Sequence, residues 1–432
     1  MTQGLERIVT AIPGPRSRAL QAGIAAYEAR GVTYLADDYP VFWQSAHGAR
    51  VTDVDGNVYL DLTSAFGVAN SGHANDAVVA AAADQMRRLM HAMGDVHPTE
   101  VKARLLAALA EITPGDLQKT YLTTSGAEAV EFALKTAVLA TGKSRFLAYR
   151  GAYHGLSVGT LEVIGIPKFR APFASLVGDR TTWLDFPGAG TSAPLAVDAA
   201  RAALERDDGI AAVVVEPIQG RGGVIVPPSG FLRGLRAVCD ERGVLLIADE
   251  IYTGFGRTGP MFACERDGVV PDLLCLGKAL GGGMPLAATV GRPQVMDAWP
   301  KSTGEALHTS TYLGNPVACA AALANIAELR RLDVTAHVRR REPWLRDRLV
   351  RFAAHDDVVD VRGAGFLWGI EFRSAAAANR VVVTTLARGV ILLQSGPTGT
   401  SVTIAPPLVI GDAQLARALD LTESVVGGIA VG

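Results

Sequence analysis

Only seven lysines occur in 432 residues: Lys102, Lys119, Lys135, Lys143, Lys168, Lys278 and Lys301. Each can be judged by its surroundings. Lys102 lies between Glu100 and Arg104 on an amphipathic stretch, Lys143 follows Thr141-Gly142, and Lys119, Lys168 and Lys301 stand beside polar or turn residues. Those five read as solvated. Lys135 follows Glu131 by four residues, the spacing of an ion pair on a helix surface. Lys278 differs, being the only charged residue between Asp272 and Arg292, within LLCLGKALGGGMPLAATVG. An ammonium there is expensive to bury unpaired. A desolvated lysine gives up its proton readily, which suits it to condense with a carbonyl compound. A lysine snorkelling from a strand end is the competing reading. Gly277 and the Gly281–Gly283 run favour the chemical one, because glycines let a large group approach the backbone.

Two further features point the same way. The apolar run VLLIADE at 244–250 ends in Asp249-Glu250. In a parallel α/β sheet the carboxyl ends of strands face the ligand crevice, so Asp249 points toward a site unless it serves as a helix cap or a structural ion pair. In TYLTTSGAEAVEFALK a strand runs through Ser125-Gly126-Ala127 into a helix, whose free N–H groups and positive dipole end receive an anion. Capping alone would account for Ser125. An amine, a carboxylate and an anion receptor together suit a cofactor with an aldehyde, a cationic ring nitrogen and a phosphate. Pyridoxal 5'-phosphate has all three.

The elements that must hold these groups follow from the pattern. VTDVDGNVYLDL alternates around Asp55-Gly56-Asn57 as a hairpin. Helical spacing then appears in AVVAAAADQMRRLMHAM and TEVKARLLAALAEI, the second stopping before Pro114-Gly115. Short β-rich runs (KTYLTT, SRFLAY, AAVVVE, VLLIADE, LLCLG) alternate with helices, which implies βαβ units and a mainly parallel sheet covered on both faces. A helix is expected over Pro316–Arg331, followed by the charge-dense RRREPWLRDR. The expected organisation is an arm and part of a small domain over 1–65, a large domain over 66–330 and a small α+β domain over 331–432.

Composition excludes several classes. With 41 Lys+Arg against 43 Asp+Glu spread along the chain, there is no basic stripe for nucleic acid and no polybasic segment for a membrane. No membrane-spanning run or targeting pattern is visible, so a cytosolic location is expected. Cys239, Cys264, Cys275 and Cys319 show no C-x-x-C pair and read as free, buried packing residues; no metal site is expected. Gly254–Gly259 (GFGRTG) matches a dinucleotide fingerprint, but Pro260 and an irregular segment follow where a helix should open, and the strand ended earlier at Asp249.

In order, TTSGAEAVEFALKTA, YRGAYHG, VVVEPIQG, LLIADEIYTGFGRTG, PDLLCLGKALGGGMPL and HTSTYLGNP resemble the class III (ornithine and 4-aminobutyrate type) aminotransferases, from about YPVFWQSAHGARVTDVDGNVYLDL to VTIAPPLVI. The resemblance implies fold type I and a homodimer with active sites at its interface. It implies transamination in two half-reactions between a small-molecule amine or amino acid and a 2-oxo acid. It makes Lys278 the Schiff-base lysine, Asp249 the partner of the pyridinium nitrogen, and Gly126 and Ala127 the phosphate-binding amides beside Ser125. Tyr153 and Ile251 would flank the ring, Glu216 matches the family glutamate of E-P-I-Q-G, and Thr311 would reach the phosphate of the neighbouring subunit. Three departures concern the substrate: Arg221 stands where a second glutamate is common, Thr403 where an arginine is common, and Tyr252 where a glutamine is common. A carboxylate-binding cation moved to Arg221 is the expectation. The alternative is an Arg221 turned to solvent or paired with an acid, with Arg257 binding the acceptor. A racemase, epimerase or aminomutase on the same fold is the competing reaction, a nicotinamide dehydrogenase built on GFGRTG a remote one. A cofactor-free protein would leave Lys278 and Asp249 unexplained.

Overall fold

A computed structural model describes residues 4–32 and 41–429. Tyr39 and Pro40, where the resemblance begins, lie outside the described residues, as do the remainder of 33–40 and both chain ends.

Strand Ile210–Val215 is buried along its whole length, as a β-branched run must be when helices cover both faces of a parallel sheet. Over Val213–Val215 its side chains alternate between two cores. Val213 and Val215 pack with Leu235 and Val238 on one face, and Val214 with Ala133 and Ala137 on the other. The strands beginning at Lys119, Ala287, Leu273, Leu245, Ile210, Arg145 and Thr181 lie side by side in that order. Ala287–Gly291 alone runs antiparallel to its neighbours. The carboxyl ends of Lys119–Thr123, Arg145–Arg150, Ile210–Val215, Leu245–Asp249 and Leu273–Leu276 therefore share one edge, which gathers Ser125, Tyr153, Glu216, Asp249 and Lys278 from positions up to 153 residues apart.

Local chemistry sets the ends of the covering helices. Helix Gly126–Thr141 starts at a capping box and stops at Gly142, whose φ of 69° ordinary side chains avoid. Helix Phe231–Arg242 stops in the same way at Gly243. The expected hairpin forms, with Val51 opposite Tyr59, and Val390–Ile391 joins it in parallel at Leu60 and Asp61, so both chain ends share one small sheet. A second, antiparallel sheet comprises Val358–Ala364, Leu367–Phe372, Ser401–Ile404 and Leu393–Ser395. All four cysteines are buried and free. No helix among the described residues is long and apolar enough to cross a membrane.

Lys102 corrects the solvated expectation. Its Nζ donates to the Gly94 carbonyl at 2.6 Å, and its stem lies so close to Gly314 that a Cβ there would fall 2.7 Å from Cδ. Burial lowers its pKa. The helical period at 100–112 was right, but periodicity cannot reveal that residues 94 and 314 close over one side of that helix.

Candidate active site

Lys278 opens a short 3-10 turn directly after Gly277, with a φ of 46°. For a non-glycine residue this conformation costs about 1–2 kcal/mol, and such strain gathers at functional sites. Its side chain is partly buried, with Nζ 4.0 Å from the centroid of the Tyr252 ring and no hydrogen bond among the described residues. Desolvation pulls its pKa down to about 8 from 10.5, against the attraction of Asp249 and Glu216. At pH 7 about one amine in eleven is then neutral, against about one in three thousand for an ordinary lysine.

Asp249 ends its strand 4% exposed. Its Oδ1 accepts the Ile251 N–H at 3.1 Å, and its Oδ2 lies 2.7 Å from Nδ1 of His154, whose side chain is wholly buried. Burial disfavours the imidazolium, but the hydrogen bond and charge of Asp249 outweigh it, and the net shift of His154 is upward. Glu216 closes the cluster. Its two oxygens accept the Tyr153 N–H at 3.0 Å and the Gly220 N–H at 3.1 Å, and burial raises its pKa to about 7.

At the start of helix Gly126–Thr141 the capping box uses a definite set of groups. Ser125 Oγ accepts from Glu128 N, and the Glu128 carboxylate accepts from Thr124 N, Thr124 Oγ1 and Ser125 N. The amides of Gly126 and Ala127 keep no acceptor among the described residues. The Ser125 hydroxyl is thus engaged in capping, and the anion receptor consists of the next two N–H groups. Ile251 lies against this turn and against the lysine segment: a Cβ on Gly126 would fall 2.8 Å from its Cδ1, and one on Gly277 3.3 Å from its Cγ2. Tyr153, whose N–H is held by Glu216, sets its ring edge-on to Phe169 at 5.7 Å. Two unpaired amides, an unbonded amine and a strand-end carboxylate with Ile251 between them fit the phosphate, aldehyde and ring nitrogen of pyridoxal phosphate.

Tyr252 is clamped between two backbones. A Cβ on Gly67 would fall 2.4 Å from its ring, and one on Gly220 2.2 Å from it. Gly67 ends a run of four left-handed residues, Ser64, Ala65, Phe66 and Gly67, with φ from 46° to 80°. Side chains offset that strain. The Asp61 carboxylate accepts from Thr63 N, Thr63 Oγ1 and Ala65 N, and Ser64 Oγ donates to the Ala405 carbonyl. Arg257 corrects the alternative that gave it the acceptor. It is 0% exposed, and its two terminal nitrogens donate to Phe366 O, Pro406 O, Ser64 Oγ and Asn70 Oδ1, so it braces the fold. Thr403 is also engaged, donating to Ser395 Oγ at 2.7 Å. Residues 251–262 form turns without a helix, so GFGRTG lacks the context of a dinucleotide site.

Thr311 stands exposed on a loop held to residues 90–95. Thr309 donates to Asp95, and Asn315 to the Met90 carbonyl. His154 escaped the sequence reading although YRGAYHG contains it. Ninety-five residues separate it from Asp249, and only its place directly after Tyr153 could have marked it. The left-handed turn at 64–67 gave no signal, since three of its four residues are not glycine.

A family model described as aminotransferase class-III matches residues 33–426. The putrescine aminotransferase of Pectobacterium atrosepticum is 39% identical over 408 residues, spanning 92% of this chain and 84% of its own. The 4-aminobutyrate aminotransferase of Mycobacterium leprae is 38% identical, spanning 98% of each, and the acetylornithine aminotransferase of Methanopyrus kandleri 40%, spanning 88% and 93%. Among solved structures, the ornithine aminotransferase of Toxoplasma gondii ME49 superposes with a TM-score of 0.87 at 30% identity, over 96% of both chains. A transaminase from the marine bacterium Virgibacillus reaches 0.89 at 27%, over 95% and 99%. The α/β architecture is accordingly that of fold type I. With a family model along nearly its whole length and close relatives along most of it, the chain belongs to the class III aminotransferases and carries out pyridoxal-phosphate-dependent transamination.

Proposed function

We propose that Lys278 is the catalytic amine of this transaminase, that Asp249 sets the electronics of the cofactor ring, and that the donor is a primary amine on an unbranched carbon chain. The observation that carries the assignment is the convergence of strand ends: an amine without a hydrogen-bond partner lies one strand away from a buried carboxylate, with two unpaired helix amides nearby. The donor class draws on the names of the relatives, since putrescine, acetylornithine and 4-aminobutyrate all carry such an amine.

Bound pyridoxal phosphate supplies an electron sink that makes a substrate C–H bond acidic. The chain's own groups do the rest. Lys278 Nζ moves the proton between the two carbons involved, and its lowered pKa lets it act as a base near neutral pH. Asp249, braced by His154, would hold the ring nitrogen of the cofactor through its carboxylate. The Gly126 and Ala127 amides would hold the phosphate, and Tyr153 and Ile251 would pack against the ring.

The same reading includes a homodimer and a division into a large domain over 66–330 and a small one built from both chain ends. Supporting the dimer, Met86, Leu89, Met90, Met93 and Val96 are 43–64% exposed, and the loop bearing Leu307, Thr311 and Tyr312 is bonded alongside them. An apolar patch of that kind marks an interaction surface, and it would carry Thr311 toward a neighbour's phosphate. Supporting the division, Val390–Ile391 pairs with Val58–Asp61, whereas the seven-stranded sheet draws only on residues 119–291. The test is borohydride treatment of the loaded protein followed by peptide mass mapping. The adduct is expected on Lys278, and one on any of the other six lysines overturns the assignment.

A further inference from the structure

We propose that Arg221 anchors the carboxylate of the oxo-acid acceptor, and that this wall of the site selects a monocarboxylic 2-oxo acid over a dicarboxylic one. The inference rests on Lys278 being the reacting amine.

Arg221 follows Gly220, which packs directly onto the Tyr252 ring, and the Lys278 amine lies 4.0 Å from the centroid of the same ring. Gly396 N donates to the Arg221 carbonyl at 2.9 Å and ties this position to the segment that carries Ser395. The guanidinium is partly buried, and its Nη1 is enclosed without any hydrogen-bond partner. Among the described residues no acid lies within ion-pair distance of it, and the nearby titratable groups are Tyr153 and Tyr252. It is therefore neither turned to solvent nor neutralised by a neighbour. A partly buried guanidinium without a hydrogen-bond partner is unfavourable, and its planar donor fork, open on the side away from Nη1, matches a carboxylate through two parallel hydrogen bonds.

The preference for one carboxylate comes from the other cations. Arg257 spends its terminal nitrogens on two carbonyls, a hydroxyl and an amide oxygen. Arg362 is consumed by Asp360, Glu371 and the Gly223 carbonyl. Thr403 gives its hydroxyl proton to Ser395. Among these groups only Arg221 remains open, so a second carboxylate on the acceptor would be desolvated without a counter-charge.

The test is calorimetric binding to the loaded enzyme without an amine donor, so that no turnover occurs, using pyruvate, its methyl ester and 2-oxoglutarate. Pyruvate is expected to bind the parent more tightly than 2-oxoglutarate. Arg221→Gln should weaken pyruvate by at least about tenfold and leave the ester unchanged, and Arg221→Lys should recover part of the loss. Equal or tighter binding of 2-oxoglutarate by the parent, unchanged pyruvate binding by Arg221→Gln, or equal weakening of acid and ester overturns the proposal. Borohydride mapping of the same samples separates the two readings. With the adduct on Lys278, only the role of Arg221 falls; with the adduct elsewhere, the underlying assignment falls too.

Discussion

Replacing Lys278 by methionine should make the cofactor-free protein more stable at neutral pH. The folded amine has a pKa of about 8 against 10.5 for the ordinary side chain. Below pH 8 both states are protonated, and the fold bears the full cost of the buried ammonium, about 3 kcal/mol at pH 7. Between pH 8 and 10.5 the folded chain loses the proton while the unfolded chain keeps it, so the cost shrinks to about 1 kcal/mol at pH 10. Attraction of the ammonium to the Tyr252 face is part of that net cost and is not subtracted from it. Methionine keeps most of the buried stem, and it bears the same left-handed strain at φ 46° as lysine does. Lys278→Met should therefore gain about 3 kcal/mol at pH 7, and the gain should fall as pH rises. The assay is urea unfolding of both proteins without cofactor at pH 7 and pH 10, at one protein concentration so that association contributes equally. Comparing the difference at two pH values cancels every group that titrates alike in both chains. A wild type more stable at pH 7, or a difference that does not change with pH, refutes the reasoning.

Asp249→Asn should retain cofactor by absorbance yet lose at least about tenfold in kcat, because an amide cannot hold the ring nitrogen protonated; near-normal turnover removes Asp249 from the catalytic groups, and loss of folding assigns it to a structural pair with His154. Thr311→Ala should release cofactor more readily on dialysis while the parent sediments as a dimer, and a fully active monomer would contradict the shared site. Gly220→Ala should lower stability by about 1–3 kcal/mol, since its Cβ would fall 2.2 Å from Cδ1 of Tyr252, and adding Tyr252→Ala should recover part of that loss; thermal midpoints decide, and an unaffected single variant denies the clamp.

What could be read in advance depended on whether a signal was local. Strand Ile210–Val215, the helix at Gly126 and the αL stop at Gly243 each announce themselves within a few residues, and the fold follows once such runs alternate. Lys278 stood out for a compositional reason, its isolation among apolar residues and glycines. His154 did not, because a histidine becomes informative only when its partner is known, and Asp249 is brought to it by strands that are not neighbours in sequence. Lys102 was misjudged for the same reason, its burial being imposed by residues 94 and 314. The left-handed turn at 64–67 is the extreme case. Its stability resides in Asp61, Ala405 and Arg257, so SAFG by itself gives no reason to leave the right-handed region. The two arginines show how this bears on function. Arg257 and Arg221 both stand near the lysine in the fold and both are cations in glycine-rich surroundings, so sequence alone left either free to hold an acid. Their hydrogen bonds separate them: the four bonds of Arg257 leave no terminal nitrogen for a ligand, whereas the Arg221 side chain makes no hydrogen bond among the described residues, and the part of its donor fork that is not enclosed is free for an acceptor carboxylate.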